Sequence, residues 1–255
     1  MSKPNLLEYF MFFHKKKAES LMLSPGSWIT KAIDKEQANV LQIGSNDGKT
    51  RDPLFKIMKE RNHWKGFFVE PVPYLFERLK NNYLTLDRSE RFQFSNTAVN
   101  DGTEEYFYYV DKHAKYVIPN LPEWYDQIGS FNRDHILEHM EGKFEPFIKK
   151  VKIRGIKLSD LISQFNINQI DLLHLDTEGY DWLILSQLDL KRYQPTVILY
   201  EHKHLNDKDY DHSLKYLSEL YDVFQFKNDC LCLHREKHEM TVSDLANLRR
   251  VSQVV

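Results

Sequence analysis

The chain has 255 residues, 42% hydrophobic and 28% charged, with a formal net charge of −2. That length and apolar content suit one α/β domain with decorations, or one domain plus a small subdomain, and the near-zero charge offers no global field for nucleic acid or an anionic membrane. Nine Gly and nine Pro argue against disorder and low complexity.

Residues 1–39 read as two helical pieces with Leu6, Phe10, Phe13 and Leu21 facing inward. Ser24-Pro25-Gly26-Ser27 separates them, and Ser27 is the expected cap of a helix ending near Asp34. The apolar run Leu6–Phe13 precedes Lys15-Lys16-Lys17, whereas a signal peptide carries its positive charge first. No run approaches the roughly 18 apolar residues of a membrane span. The expectation is a cytoplasmic protein without a membrane span.

Val40–Ile43 reads as a first, largely apolar strand that ends in the turn Gly44-Ser45-Asn46-Asp47-Gly48, before a helix from Arg51 to Arg61. Such a strand–turn–helix unit aims backbone N–H groups at a polar ligand. Trp64–Glu70 is a second apolar run, ending in an acid and stopped by Pro71, and a helix over Pro73–Asn81 follows. Phe92–Val99 reads as a third strand, Asn100-Asp101-Gly102 as a turn, and Glu105–Val110 as the strand that completes a hairpin with it.

Residues 111–150 interrupt the alternation and are rich in aromatic residues and histidine, with a helix expected over Asn132–Met140. Such an insert reads as a lid or substrate loop, or as a packed connector. Beyond it come a short strand (Val151–Ile156), a helix opened by Lys157-Leu158 with Ser159 as cap, and a buried strand, Ile170–Asp176. A helix then starts at Thr177–Asp181, followed by the strand Thr196–His202 and a helix over Asp211–Leu220. Asp222–Phe226 and Cys230–His234 form a closing hairpin. Cys230 and Cys232 share one face of its second strand, where a disulfide between them would be strained; they read as buried small hydrophobes in a reducing compartment. Residues 237–255 are a polar tail with a short helix.

Fully apolar strands alternating with helices predict a doubly wound, mostly parallel sheet, with the hairpin adding an antiparallel strand. The expected organisation is an N-terminal helical extension (1–39), a main domain (40–236) carrying the insert 111–150, and a tail (237–255). Four strand ends carry polar residues: Gly44–Gly48, Glu70, Asn96-Thr97 and Asp176. In a parallel sheet these ends share one edge, where α/β ligands bind. Glu70 can accept hydrogen bonds from both hydroxyls of a ribose. Asp47 repels a diphosphate but suits a cationic amino group, so S-adenosylmethionine fits better than NAD or ATP. An NAD-linked dehydrogenase would also want the central glycine of G-x-G-x-x-G.

The ordered set VLQIGSNDGKT (40–50), FFVEPVPYLFERL (67–79), FSNTAVNDG (94–102), IKLSDLI (156–162), IDLLHLDTEGYDWLIL (170–185) and VILYEH (197–202) resembles the FkbM family of S-adenosylmethionine-dependent methyltransferases. Asp176-Thr177-Glu178-Gly179 is the most specific element. The resemblance implies a seven-stranded, Rossmann-like class I fold and O-methylation, commonly of sugar or natural-product hydroxyls. Carried over by position, Gly44, Asn46, Asp47, Gly48, Glu70 and Asn96 line the cofactor, and Asp176 sits between cofactor and acceptor. Their neighbours Gln42, Ser45, Pro71 and Thr97 complete the expected cofactor set. The family often has Lys where His174 stands, which puts a cationic role there in doubt.

Asp176, Glu178, Glu201 and His202 are the candidate catalytic residues, with His135 or His139 arriving from the insert. His202 has the ordinary pKa best suited to a base near neutrality. Mg²⁺ would accept Asp176, Glu201 and Asp181 as hard oxygen ligands, but sequence does not gather three carboxylates into one shell, and no metal site is assigned. The expected partner is a small-molecule or glycan acceptor rather than nucleic acid; homo-oligomerisation is left open. The alternative reading is a non-catalytic methyltransferase-like scaffold.

Overall fold

The computed structural model describes residues 24–122 and 125–255. The expected helical pieces before residue 24 lie outside them. Among the described residues no helix is long and apolar enough to cross a membrane.

The main sheet is built from β1 (Asn39–Ile43), β2 (Lys65–Val69), β3 (Phe92–Ser95), β9 (Leu172–Leu175), β10 (Val197–Glu201), β11 (Tyr221–Gln225), β12 (Asp229–His234) and the two-residue β13 (Gln253–Val254), in the order β13-β11-β12-β10-β9-β1-β2-β3. The five neighbours β3, β2, β1, β9 and β10 pair in parallel. β12 runs antiparallel to both β10 and β11, so the expected hairpin forms inside the sheet. β13 adds an eighth strand to the seven expected.

The central strands are buried on both faces, which is why they read as continuous apolar runs. On one face Leu41, Leu173 and Ile198 pack with Leu161 and Ile162 of α5 (Leu158–Gln164), Ile184 and Leu185 of α6 (Asp181–Leu185), and Leu217 of α7 (Asp207–Leu217). On the other, Val40, Leu172 and Val197 pack with Trp28 and Ile29 of α1 (Gly26–Ala32), Leu54 and Met58 of α2 (Pro53–Glu60), Tyr83 of α3 (Pro73–Tyr83), and Leu248 of α8 (Val242–Val251). A buried Leu or Ile contributes about 2 kcal/mol by leaving water. These two layers hold the edge that carries the site.

Several local expectations need correction. Ser27 lies inside α1, whose N-cap is Pro25, and its hydroxyl donates to the Ser24 carbonyl at 2.8 Å. Ser159 lies inside α5, capped by Lys157 with no side-chain bond. Phe92–Val99 divides: β3 stays in the main sheet, while β4 (Ala98–Val99) leaves it to pair in parallel with β8 (Gly155–Ile156). The hairpin expected between residues 92–99 and 105–110 does not form. β5 (Glu105–Val110) instead pairs antiparallel with β6 (Gly129–Ser130) and β7 (Ile148–Ile153) in a separate three-stranded sheet.

That small sheet has its own apolar nucleus of Val110, Tyr125, Ile128, Ile136 and Phe144. Ile136 belongs to a short α-helix of the segment, α4 (Arg133–Glu138). The segment is fastened to α3. Tyr74 Oη donates to the carbonyls of Asp126 and, at 3.3 Å, Val110. The Arg78 guanidinium donates to the buried Asp126 carboxylate at 2.8 Å.

Candidate active site

A cavity of about 430 Å³ opens at the carboxyl edge of β1, β2, β9 and β10, lined on one side by Gly44, Ser45, Asn46, Glu70 and Pro71, and roofed by Phe107 of β5 and by Ile128 and Phe131 of the insert. Its floor at β1 is made by the glycine turn. Gly44 has φ +80°, and a Cβ there would stand 1.8 Å from the Asp176 carbonyl oxygen; only glycine lets the ends of β1 and β9 meet this closely. Asn46 also holds a positive φ, 54°, a conformation Asn tolerates better than most residues.

Glu70 connects β2 to that turn. Its Oε2 accepts the Asn46 N–H at 2.8 Å and its Oε1 accepts the Val72 N–H at 2.8 Å. Each oxygen retains a second lone pair for a ligand. Burial, only partly offset by these bonds, pushes its pKa up to about 7. Asn96 sits behind this corner, donating to the carbonyls of Glu70 at 2.7 Å and Pro71 at 3.0 Å. Thr97 lines the cavity and its hydroxyl meets that of Ser95 at 2.9 Å.

Asp47 does not line the cavity. Its carboxylate is spent inside the loop, accepting the N–H groups of Lys49 (2.9 Å) and Thr50 (2.7 Å) and the Thr50 hydroxyl (2.7 Å). This is the side-chain-to-backbone turn that Asp favours. Gly48 is likewise structural: with φ +65°, a Cβ would lie 2.4 Å from Leu79 and 2.7 Å from Tyr83.

The acid that does face this part of the cavity is Asp52, which the sequence reading passed over. It caps α2 by accepting from Leu54 N at 2.5 Å and Phe55 N at 3.1 Å, with Pro53 next in the chain. Asp immediately before Pro was the available signal. Gln42 Nε2 donates to Asp52 at 2.7 Å and lies 3.0 Å from His174 Nδ1. Strand register makes Gln42 and His174 direct neighbours. Because Gln42 Nε2 is already a donor, His174 Nδ1 accepts and its proton sits on Nε2. Burial lowers the His174 pKa to about 4, so this ring is neutral and takes no cationic role. Burial also lifts Asp52 to about 6, against the Gln42 bond.

At the far end, the Asp176 side chain is exposed to the cavity. Enclosure by protein raises its pKa well above the usual carboxylate range, helped by Glu178 and Asp181. Glu178 follows in a left-handed turn, φ 52°, with Gly179 at φ 102°. Its Oε2 lies 3.1 Å from both His135 Nε2 and His204 Nε2. Burial alone would raise the Glu178 pKa, but the His135 hydrogen bond and the nearby imidazoles bring it below its ordinary value. Glu201, at the end of β10, is pushed to about 10 by burial and then by Asp176 and Glu178. His204 is lowered to about 4 by burial.

Asp181 and His202 stand outside the cavity. Asp181 is fully buried and turned onto Thr177 N (3.3 Å), Thr177 Oγ1 (2.9 Å) and Glu201 N (3.3 Å). The set Asp176, Glu201 and Asp181 therefore does not assemble around a cation. His202 serves the closing hairpin: its N–H donates to the Asn228 carbonyl at 2.9 Å and its Nε2 to the Phe226 carbonyl at 3.0 Å. The imidazole that enters the cavity from this loop is His204, two residues further on. A loop just beyond the carboxyl end of a parallel strand was the only sequence signal for it.

No curated protein matches the chain significantly. Among solved structures it is similar to cofactor-bound Rv0187 from MTB, at 11% identity over 92% of this chain and 100% of that one, with a TM-score of 0.45. It is also similar to the O-methyltransferase from Bacillus cereus in complex with SAH, at 10% identity over 86% and 81%, with a TM-score of 0.43. A third is M. capricolum TrmK in complex with S-adenosyl-homocysteine, at 12% identity over 89% and 74%, with a TM-score of 0.41. The family described as the methyltransferase FkbM domain matches residues 42–226. With most of its length matched, glycine turn and strand-end acids included, the chain belongs to the FkbM family of S-adenosylmethionine-dependent methyltransferases.

Proposed function

We propose that the enzyme methylates a hydroxyl of a saccharide or related natural-product acceptor in the cytoplasm. One observation carries this reading: Asp176 is exposed to the cavity between the glycine turn and a wall that mixes aromatic rings with polar groups. Phe131 packs on Tyr180 at 4.7 Å and edge-on to Phe107 at 5.1 Å. Such rings suit the apolar face of a sugar, and the acids and imidazoles beside them suit its hydroxyls. In this reading the insert is the acceptor-binding segment of the main domain. An acid-rich cavity and a net charge of −2 favour a small-molecule or glycan acceptor over a nucleic acid. The two buried free thiols suit the reducing cytoplasm.

Glu70 would hold the ribose hydroxyls, and the Gly44–Asn46 turn the remainder of the cofactor. Bound S-adenosylmethionine supplies an electrophilic methyl group. Asp176 would take the acceptor's hydroxyl proton, because its side chain opens into the cavity beside the glycine turn. Glu178 and Glu201 would orient the acceptor. Alignment of the reacting atoms provides the larger share, on the order of 7–11 kcal/mol in well-oriented cases; a general base adds typically about 10²–10⁴-fold.

The test is transfer of labelled methyl from S-adenosylmethionine to a panel of free and nucleotide-linked sugars, glycosylated natural products and RNA. Label in an ether linkage of a sugar supports the reading; label in RNA or on a nitrogen overturns it.

A further inference from the structure

Five side chains from three separate segments meet at the acceptor end of the cavity. His135 comes from α4 and His139 from the turn just after it. Glu178 comes from the left-handed turn after β9, and Glu201 and His204 from the end of β10 and its loop. The ligand atoms of His135, His139 and Glu178 lie within 4.8 Å of one another, as do those of Glu178, Glu201 and His204. We infer that this cluster is a binding site for a divalent first-row transition ion, with Glu178 as the ligand common to both groups.

Two donors at 2.0–2.1 Å from one ion sit about 2.8–3.4 Å apart for octahedral or tetrahedral angles, the spacing that Glu178 makes with both imidazoles. Glu178 Oε2 is 3.1 Å from His135 Nε2 and 3.1 Å from His204 Nε2, and Glu201 Oε2 is 3.8 Å from His204 Nε2. The ring centroids of His135 and His204 are 4.6 Å apart with their planes at 89°, so the two imidazoles converge on Glu178 without stacking.

The cluster is poorly satisfied without a cation. Glu201 Oε2 is buried and has no hydrogen-bond partner among the described residues. His204 Nε2 faces an acceptor, Glu178 Oε2, and a donor, Lys203 Nζ at 3.0 Å. With the imidazole hydrogen on Nδ1, Nε2 accepts from the exposed Lys203 ammonium beside the Glu178 carboxylate. A cation held by the Nε2 lone pair and the carboxylate would take the place of that ammonium.

Imidazole nitrogens make up three of the five donors. That donor set selects Zn²⁺, Fe²⁺, Co²⁺ or Ni²⁺ over Mg²⁺ or Ca²⁺, which want oxygen. The left-handed conformation at Glu178, an unusual one for a residue with a side chain, is what turns its carboxylate toward the imidazoles. His139, Glu178, Glu201 and His204 all line the cavity, so an open coordination position would meet an acceptor oxygen. That role rests on the O-methyl transfer reading; ion binding itself does not.

The full chain, stripped with chelator, should bind one equivalent of Co²⁺ with the visible d–d absorption of a low-coordinate imidazole site. Zn²⁺ should displace it, and Mg²⁺ at equal concentration should not. His135→Asn combined with His204→Asn should weaken Co²⁺ binding about 100-fold or more. S-adenosylhomocysteine binding by calorimetry reports whether the variant is folded. If the double variant does not fold, each single variant is titrated instead, with a loss of at least tenfold expected. Absence of a stoichiometric Co²⁺ spectrum in the wild-type chain, or undiminished affinity in the folded variants, overturns the site. Loss of methyl transfer to sugars with Co²⁺ binding intact would strike only the acceptor reading.

Discussion

The Glu70 carboxylate accepts the backbone N–H of Asn46 at 2.8 Å, so the acid at the end of β2 fixes the turn at the end of β1. A residue placed to hold the ribose is therefore also a structural brace for the loop beneath the rest of the cofactor. Glu70→Gln removes a charged acceptor and should weaken S-adenosylhomocysteine binding by roughly 1.5–3 kcal/mol, measured by calorimetry.

The same residue fixes a pH dependence. Its pKa rises from 4.5 to about 7 in the folded chain, a difference of about 3 kcal/mol. Between those values the folded state holds more protons than the unfolded one, so this group's contribution to stability falls as pH rises from about 4.5 to about 7. Below that window both states are protonated and the penalty disappears. Wild-type stability in urea melts of the cofactor-free chain should therefore carry a fall of up to about 3 kcal/mol between about pH 4.5 and 7, and Glu70→Gln, which keeps only one of the two acceptors of the Asn46 and Val72 N–H groups, should flatten that pH dependence. Cofactor affinity of the wild type should fall below pH 7, by up to about tenfold per unit, because a proton competes with the ribose hydroxyls.

Gly44 gives a sharper test of the turn. An alanine there combines φ +80° with a Cβ 1.8 Å from the Asp176 carbonyl oxygen. Gly44→Ala should cost about 2 kcal/mol or more and abolish cofactor binding, because β1 and β9 must separate. An unchanged thermal midpoint with retained binding would contradict the close approach.

Asp176 and His202 should separate cleanly. His202→Ala loses the bond to the Phe226 carbonyl and should cost about 1 kcal/mol of stability with kcat within a few-fold of wild type. Asp176→Asn should lower kcat about 10²–10⁴-fold while S-adenosylhomocysteine still binds. The opposite ranking would return the base to His202.

The attachment of the insert is also measurable. Tyr74→Phe with Arg78→Ala removes its polar links to α3 and leaves the buried Asp126 carboxylate unpaired. Residues 125–130 should then exchange amide hydrogen faster, and acceptor KM should rise with cofactor affinity unchanged.

Much of this architecture is legible in the sequence for a definite reason. β1, β2, β9 and β10 are buried on both faces, so their apolar runs leave little choice of element, and the polar residue closing each run marks the ligand edge. β4 and β8 are two residues long, and nothing in so short a pair announces its partner. β5 was readable as a strand but its pairing was not, because β7 lies about forty residues away and the nearer strand was the natural guess. Ser27 and Ser159 misled because Ser serves within a first turn as readily as before it. Asp47 was recognised at the right place with the wrong duty: a carboxylate next to glycine is as useful for closing a turn as for meeting a ligand. The cluster of His135, Glu178 and His204 depends on three segments folding together, and no spacing along the chain encodes it.

The position of β12 constrains how the molecule can be made. It is the last long strand in the chain, yet it lies inside the sheet between β10 and β11. Until residues 229–234 exist, β10 has a bare edge of unpaired amides and carbonyls, the kind of template on which chains stick to one another. β11 does not cover it, because its hydrogen bonds toward β10 run through β12. The growing or truncated polypeptide is therefore the aggregation-prone species. Shortening the chain before residue 229 should send it to the insoluble fraction even with the whole glycine turn and every cavity acid present.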